Sequence, residues 1–287
     1  MTTIGVLADE ALGELYGHSQ TVDSTTYLSS AMDTDDLTVV VASAGAFSRG
    51  LVQVGNELLI VDSVDRGTNT LSLGTIAGRG VRGTTVSAHA VGELVTMAPT
   101  IPRSSAIRAI GEIIRSASGL FAVGSLEITF VDPATYGYTV PSDVVTVLDV
   151  SWMPPMGNAW LPVRKWEHDR YANLVVLGGS ILPGATVRVH YTKAPTVPAE
   201  GAEFTTSGLP QACEDVVRLG AAWKLSSFLE PQSLMAQGAE ADRMGRASYP
   251  ATRIRVSQYF YQVYQSRLAE ERQALAVRYP TTAHYGA

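Results

Sequence analysis

Leu209-Pro210-Gln211-Ala212-Cys213-Glu214-Asp215-Val216-Val217-Arg218-Leu219-Gly220-Ala221-Ala222-Trp223-Lys224-Leu225 opens the last third of the chain. Pro210 suits a first helical turn, where its missing N–H has no partner to lose. Val216, Leu219 and Trp223, joined by Val217, Ala221, Leu225 and Phe228, then make a broad apolar face at helical spacing. Glu230-Pro231 ends that helix, because proline disfavours a helical residue before it. A weaker helix is expected over 232–245 and a third over 252–278, stopped by Pro280. Val256, Phe260, Tyr264, Leu268 and Leu275 form the third helix's stripe, with Tyr261 and Val263 alongside.

Working back toward the N-terminus, the pattern changes from period 3.6 to period 2. Residues 121–195 read as strands: Ser125 to Phe130, Val144 to Val150, Asn173 to Leu177 and Thr186 to Tyr191, with Pro133, Gly137, Pro141 and Met153-Pro154-Pro155-Met156-Gly157 as turns. Before them Ile107, Ile110, Ile113, Ile114 and Ala117 follow Pro102 at helical spacing, and Gly119 offers a stop. Thr26 to Met97 again reads as β. Thr38 to Val41, Glu57 to Val61, Thr70 to Leu73 and Val91 to Met97 are its short apolar or β-branched runs, and Asp65-Arg66-Gly67-Thr68-Asn69 is a hairpin connection. A short helix is expected over 9–16, and the segment from Trp166 to Tyr171 reads as a charged turn.

The fold class is therefore α+β: an N-terminal small β-barrel or sandwich module, then a helical bundle with a β-sandwich-like insertion. The expected organisation is an arm with a short helix (1–25), a β module (26–100), a helical core (101–120 and 208–280), a β insertion (121–207) and a C-terminal tail (281–287).

Composition narrows the function classes. Hydrophobic residues make up 46% of the 287 residues, enough to bury a sizeable core, whereas charged residues are only 17%. The shortfall points to surface covered by partner subunits. Net charge is −6, with no basic run that would track a phosphate backbone, so an ordinary DNA-binding module is not expected. Cys213 is the single cysteine, which excludes a disulfide framework within one chain. The start, Met1-Thr2-Thr3-Ile4-Gly5-Val6-Leu7, lacks the charged segment and apolar run of a secretory signal, and no stretch approaches 18 uninterrupted apolar residues. The expectation is a chain made in a cytoplasm-like compartment, without contact to membrane.

No reading of the reactive residues yields a catalytic constellation. Gly78, Gly80 and Gly83 match G-x-G-x-x-G, but β-prone Thr84 to His89 follows and no βαβ unit surrounds it, so the segment is expected to be a loop between strands. Arg79 and Arg82 on that loop are expected to project outward as subunit contacts. The histidines (His18, His89, His168, His190 and His284) show no helical ligand spacing; His168-Asp169 could form half of an acid–base pair. Cys213 falls on a first helical turn, where the dipole lowers a thiol pKa, yet no base stands nearby and a small packed residue is the plainer reading. Glu127 and Asp149 are the carboxylates a carbohydrate-active site would have to pair. The chain is expected to be no enzyme and to hold no cofactor or metal. Tyr259, Phe260, Tyr261 and Tyr264 surround more than one helix face, as core or as an inter-subunit seam, with Arg267, Glu270, Glu271 and Arg272 as an ion-pair face beside them.

Taken together, Ile107-Arg108-Ala109-Ile110-Gly111-Glu112, the insertion with Val140-Pro141-Ser142-Asp143-Val144-Val145, Gly208 to Val217, Gly220-Ala221-Ala222 and Tyr264-Gln265-Ser266-Arg267-Leu268-Ala269-Glu270-Glu271 resemble head-to-tail connector (adaptor) proteins of tailed bacteriophages, over 102–280. Gly55 to Val61, Arg79-Gly80, Gly83-Thr84 and Ala88 to Gly92 resemble a small β module of phage structural proteins. The resemblance implies a homo-oligomeric ring, twelve-fold, docked below a portal protein at the head–tail junction of a virion and assembled in the host cytoplasm. It also implies a next neck or tail-completion protein as partner, and double-stranded DNA passing the lumen without sequence-specific binding. Tyr279, His284 and Tyr285 would then belong to a docking arm at the C-terminal end. A minor tail or fibre-hub protein, and a small-molecule or carbohydrate-binding protein, are the competing readings.

Overall fold

Apolar residues at every second position build the first module. A computed structural model of the chain describes residues 2–17, 23–75, 78–117, 119–131, 137–178, 181–226 and 251–279. Within it, β1 (Ser24–Tyr27), β2 (Thr38–Val40), β3 (Gly50–Val54), β4 (Glu57–Asp65), β5 (Thr70–Leu73) and β6 (Leu94–Met97) form one antiparallel sheet in the order β1-β6-β3-β4-β5-β2. The two edge strands also meet. Ser29 N donates to the Val40 carbonyl at 2.9 Å, Ala42 N donates to the Tyr27 carbonyl at 2.8 Å, and Leu28 bridges Val41. The sheet is thus closed into a small barrel, which removes the unpaired strand edges that an open sheet would present. Leu28, Val39, Val52, Val54, Leu59, Val61, Leu71 and Val95 point inward with Phe47 to fill it. Asp62 is skipped in the β4–β5 register, a bulge between Val61 and Ser63 that bends the strand.

Helix α1 (Ile4–Tyr16) begins earlier than the expected 9–16. Ile4, Leu7, Ala8, Ala11, Leu12 and Leu15 are all buried and make one continuous stripe, so packing extends the helix back to Ile4. Helix α2 (Arg103–Ser116) buries Ala106, Ile110, Ile113 and Ile114. Residues 214–226 form α3, and α4 (Ala251–Arg278) follows. The expected helix over 232–245, the side chain of Val256 and the tail 281–287 lie outside the described residues.

The second β element is a two-layer sandwich. One sheet has the order β10-β9-β13-β7, from β7 (Ala122–Thr129), β9 (Val144–Met153), β10 (Leu161–Pro162) and β13 (Thr186–Lys193). The other has the order β11-β12-β8, from β8 (Tyr138–Thr139), β11 (Lys165–Asp169) and β12 (Leu174–Gly178). Val147, Val150, Val187 and Val189 of the first sheet share an apolar core with Val175 of the second. In the β9–β13 register His190 faces Asp149 and Tyr191 faces Val147, so Leu148 is bulged out of the alternation and both Val147 and Leu148 are buried. The segment read as a charged turn is largely strand β11. Its half-buried Trp166 and His168 alternate with exposed Lys165, Glu167 and Asp169, and only 170–173 turn.

The chain divides into two compact units: Ile4–Glu112 with Val217–Tyr264, and Met1–Thr3 with Ile113–Val216 and Gln265–Ala287. The first holds the barrel and, beside it, helical segments joined by Lys224 to Glu112 (2.6 Å) and Arg218 to Glu14 (3.4 Å). The second holds the sandwich. The fold is α+β with a helical C-terminal part.

Candidate functional site

A glycine-rich loop and one helix carry the residues of interest. The loop 78–89 is fastened to the barrel by a carboxylate that opens strand β4. Arg79 Nε and Nη2 donate to Glu57 Oε1 and Oε2, each at 2.8 Å. The amides of Gly80 and Ser87 donate to the same carboxylate at 3.1 Å. His89 Nε2 lies 3.0 Å from Glu57 Oε2, and its Nδ1 lies 2.9 Å from Glu93. The Glu57 side chain is wholly buried and that of Arg79 only 8% exposed. Burial alone would raise the Glu57 pKa; Arg79, then His89 and the two amides, outweigh it and hold the carboxyl down at about 2.

Arg79 therefore does not project outward as expected. A buried carboxylate needs a cation more than the surface does, and the loop turns the guanidinium inward to meet it. Arg82 does face solvent. It sits at φ 56 in the left-handed region, between Gly80 (φ 61) and Gly83 (φ 78), where glycine tolerates that backbone at no steric cost.

On α4, in the barrel unit, Phe260 and Tyr264 are buried while Tyr259 is 56% and Tyr261 44% exposed. Trp223 of α3 stacks on Tyr264 with centroids 5.8 Å apart and planes at 13°, and meets Tyr261 at 5.0 Å and 51°. Tyr259 lies edge-on to Phe260 at 5.6 Å. The four aromatics thus divide into two that fill the core and two that cover its rim.

In the sandwich unit, Arg267 reaches three carboxylates: Glu270 in a short contact, Glu271 at 3.3 Å and Asp215 at 3.8 Å. Its hydrogen bond to Glu270 raises its pKa further. These are partly exposed pairs, each worth on the order of 0–1 kcal/mol. Tyr279 borders a cavity of about 210 Å³ with Phe121, Leu209 and Pro210, and the Arg278 guanidinium stands 5.5 Å from its ring centroid. His284 and Tyr285 lie outside the described residues.

The remaining reactive groups are drawn into structure. Cys213 is buried in a short 3-10 segment (Gln211–Cys213) ahead of α3, and burial pushes its thiol up to about 11, opposite to the dipole effect expected for a first turn. Burial lowers the pKa of His168, while Asp169 is engaged by the amides of Tyr171 (2.9 Å) and Ala172 (3.1 Å). Glu127 and Asp149 flank β13, where Arg188 (2.6 Å) and His190 (3.8 Å) partner them. Arg188 also lies 3.8 Å over the Trp160 ring. Among the described residues no group of three or more His, Cys, Asp or Glu is arranged to hold a metal ion, and no helix is long and apolar enough to cross a membrane.

Sequence reasoning missed the Glu57–Arg79–His89 network and the Trp223 stack. The available signal for the first was a carboxylate at the head of the apolar run Leu58-Leu59-Ile60-Val61, a placement that demands a buried cation.

No family model matches the chain, and no curated protein matches it. Among solved structures it is similar to a chain in one described as "Neck of native GTA particle computed with C12 symmetry". The identity is 22%, the match covers 44% of this chain and 69% of that one, and the TM-score is 0.21. At that score the two chains do not superpose as whole folds.

Proposed function

We propose that the chain is a structural, non-catalytic component of a phage-like particle: a head-to-tail connector (adaptor) whose copies form a twelve-fold ring below the portal. In this reading the ring joins capsid to tail, meets the next neck or tail-completion protein, and lets double-stranded DNA through its lumen without gripping it. It requires no cofactor. The resemblance of residues 102–280 names the class of assembly. The observation that carries the proposal is the rim of α4, where Tyr259 and Tyr261 leave 56% and 44% of their surface to solvent. Aromatic side chains of that size gain most when a partner covers them, and they lose little conformational freedom in doing so.

Assembly is the test. Purified chain, alone and mixed with its portal, is weighed by mass photometry and imaged by negative-stain electron microscopy. The expected result is a ring for the native chain and a shift toward monomer for Tyr259→Ser combined with Tyr261→Ser. A chain that stays monomeric with its portal, or a doubly substituted chain that assembles as well as the native one, refutes the proposal. Antibody labelling of intact particles separates placements: label at the head–tail junction supports the connector, and label at the tail tip or fibres refutes it.

A further inference from the structure

Two cavities of similar size open on the barrel unit, and they differ in their unspent charge. One, of about 400 Å³, contains Asp9, Tyr16, Asp23 and Arg103 in its wall. Its polar groups already serve one another: Arg103 pairs with Asp9 at 2.6 Å, and the Tyr16 hydroxyl donates to Asp23 at 2.9 Å. The other, of about 420 Å³, is bounded by Arg82 on the glycine-rich loop and by Ser104, Ser105 and Arg108 in the first turns of α2, with Leu58 in its apolar part. No Asp or Glu lines it. Neither Arg82 nor Arg108 has a hydrogen-bond or ion-pair partner among the described residues.

We infer that this second cavity binds a phosphate group, with Arg82 and Arg108 as the cationic pair and the Ser104 and Ser105 hydroxyls as further donors. In a chain of net charge −6 an acid-free cavity with two unneutralised guanidinium groups is a local exception. A tetrahedral oxyanion offers enough acceptor oxygens for donors arriving from two separate elements, more than the two oxygens of a carboxylate. The loop is held for this role from below. Arg79, Gly80 and Ser87 bind Glu57 inside the barrel, so Arg82 is presented from a fixed base. The Thr100 hydroxyl, also on the wall, is already committed to Asp23 at 2.8 Å and adds nothing. The inference does not depend on ring formation.

The phosphate could be a free anion or part of a nucleic-acid backbone, and two probes separate these sources. Inorganic phosphate is titrated into the full chain by calorimetry in a chloride buffer; a short DNA duplex is titrated by fluorescence anisotropy at several salt concentrations. The variants are Arg82→Gly, which suits the left-handed backbone, and Arg108→Ala, which suits a helix. Unchanged circular dichroism confirms that both fold. Each substitution is expected to weaken saturable binding by about tenfold. If the ligand is backbone phosphate, each also lowers the salt slope of duplex binding by about one. Saturable phosphate binding lost in the double variant supports a free-anion site; duplex binding lost in the same way supports a backbone site. Absence of saturable binding for both probes, or binding that the double variant leaves unchanged, overturns the inference.

Discussion

Replacing Glu57 with glutamine should loosen the whole barrel, not only the loop it holds. The side chain is fully buried and accepts two bonds from Arg79 at 2.8 Å, two from backbone amides at 3.1 Å and one from His89 at 3.0 Å. Its carboxyl is held at about 2 against an ordinary 4.5. At roughly 1.4 kcal/mol per pH unit, that difference corresponds to about 3 kcal/mol of stability at neutral pH. Glutamine keeps the shape but leaves the Arg79 guanidinium buried without its counter-charge, so a loss of about 2–3 kcal/mol is expected. The sign with pH follows from the lowered folded-state value. The contribution is complete above about pH 4.5 and drains away as pH falls toward about 2. Because the chain has two compact units, a single unfolding midpoint would blur the effect, and amide hydrogen exchange resolves it. At pH 7 the amides of β3, β4 and β5 in E57Q should exchange roughly 30- to 150-fold faster, while those of β9 and β13 hold their rates. The gap between native chain and variant should close as the medium is acidified toward pH 2. Unchanged barrel exchange in E57Q, or a gap that persists at pH 2, would refute the reasoning.

The Tyr191 ring lies over Gly124, where an added Cβ would stand 2.6 Å from ring carbons. Gly124→Ala is therefore expected to cost about 1–3 kcal/mol, read from faster amide hydrogen exchange of β7, β9 and β13 in the sandwich; a change under about 0.5 kcal/mol would mean that the ring is not fixed there. Cys213, buried with its thiol at about 11, should carry about one thiolate per thousand at pH 8 and label at least about a hundredfold more slowly with a disulfide reagent in the native chain than in urea. Labelling at the rate of an exposed thiol would show that the packing around 3-10 segment Gln211–Cys213 opens readily.

What the sequence made legible is what repeats locally. Strand β13 alternates Val187, Val189 and Tyr191 inward with Arg188 and His190 outward, and α4 places Phe260, Tyr264, Leu268 and Leu275 on the spacing of a buried stripe; both patterns can be read from one short window. Strands β8 and β10 are two residues long and carry no period at all, so only their partners define them. Strand β11 reads as a polar turn because its outward positions are charged and its inward ones are Trp166 and His168. Among the site residues, what can be read depends on how far along the chain the deciding partner lies. Tyr259 and Tyr261 fall outside the stripe by helix geometry alone, since one step along a helix rotates the side chain by about 100°. Trp223, which decides that Tyr264 is core and Tyr261 its lid, lies on another helix, and nothing local announces it. Arg79 shows the general point most sharply. As part of a glycine-rich loop it had every local mark of a surface residue, yet its position was set by Glu57, 22 residues earlier. A charge buried in a strand recruits its partner from wherever the chain can bring one, so such a residue predicts that a cation lies inside without saying which. Arg82, three positions on and free of that demand, is the arginine of this loop left available for a ligand.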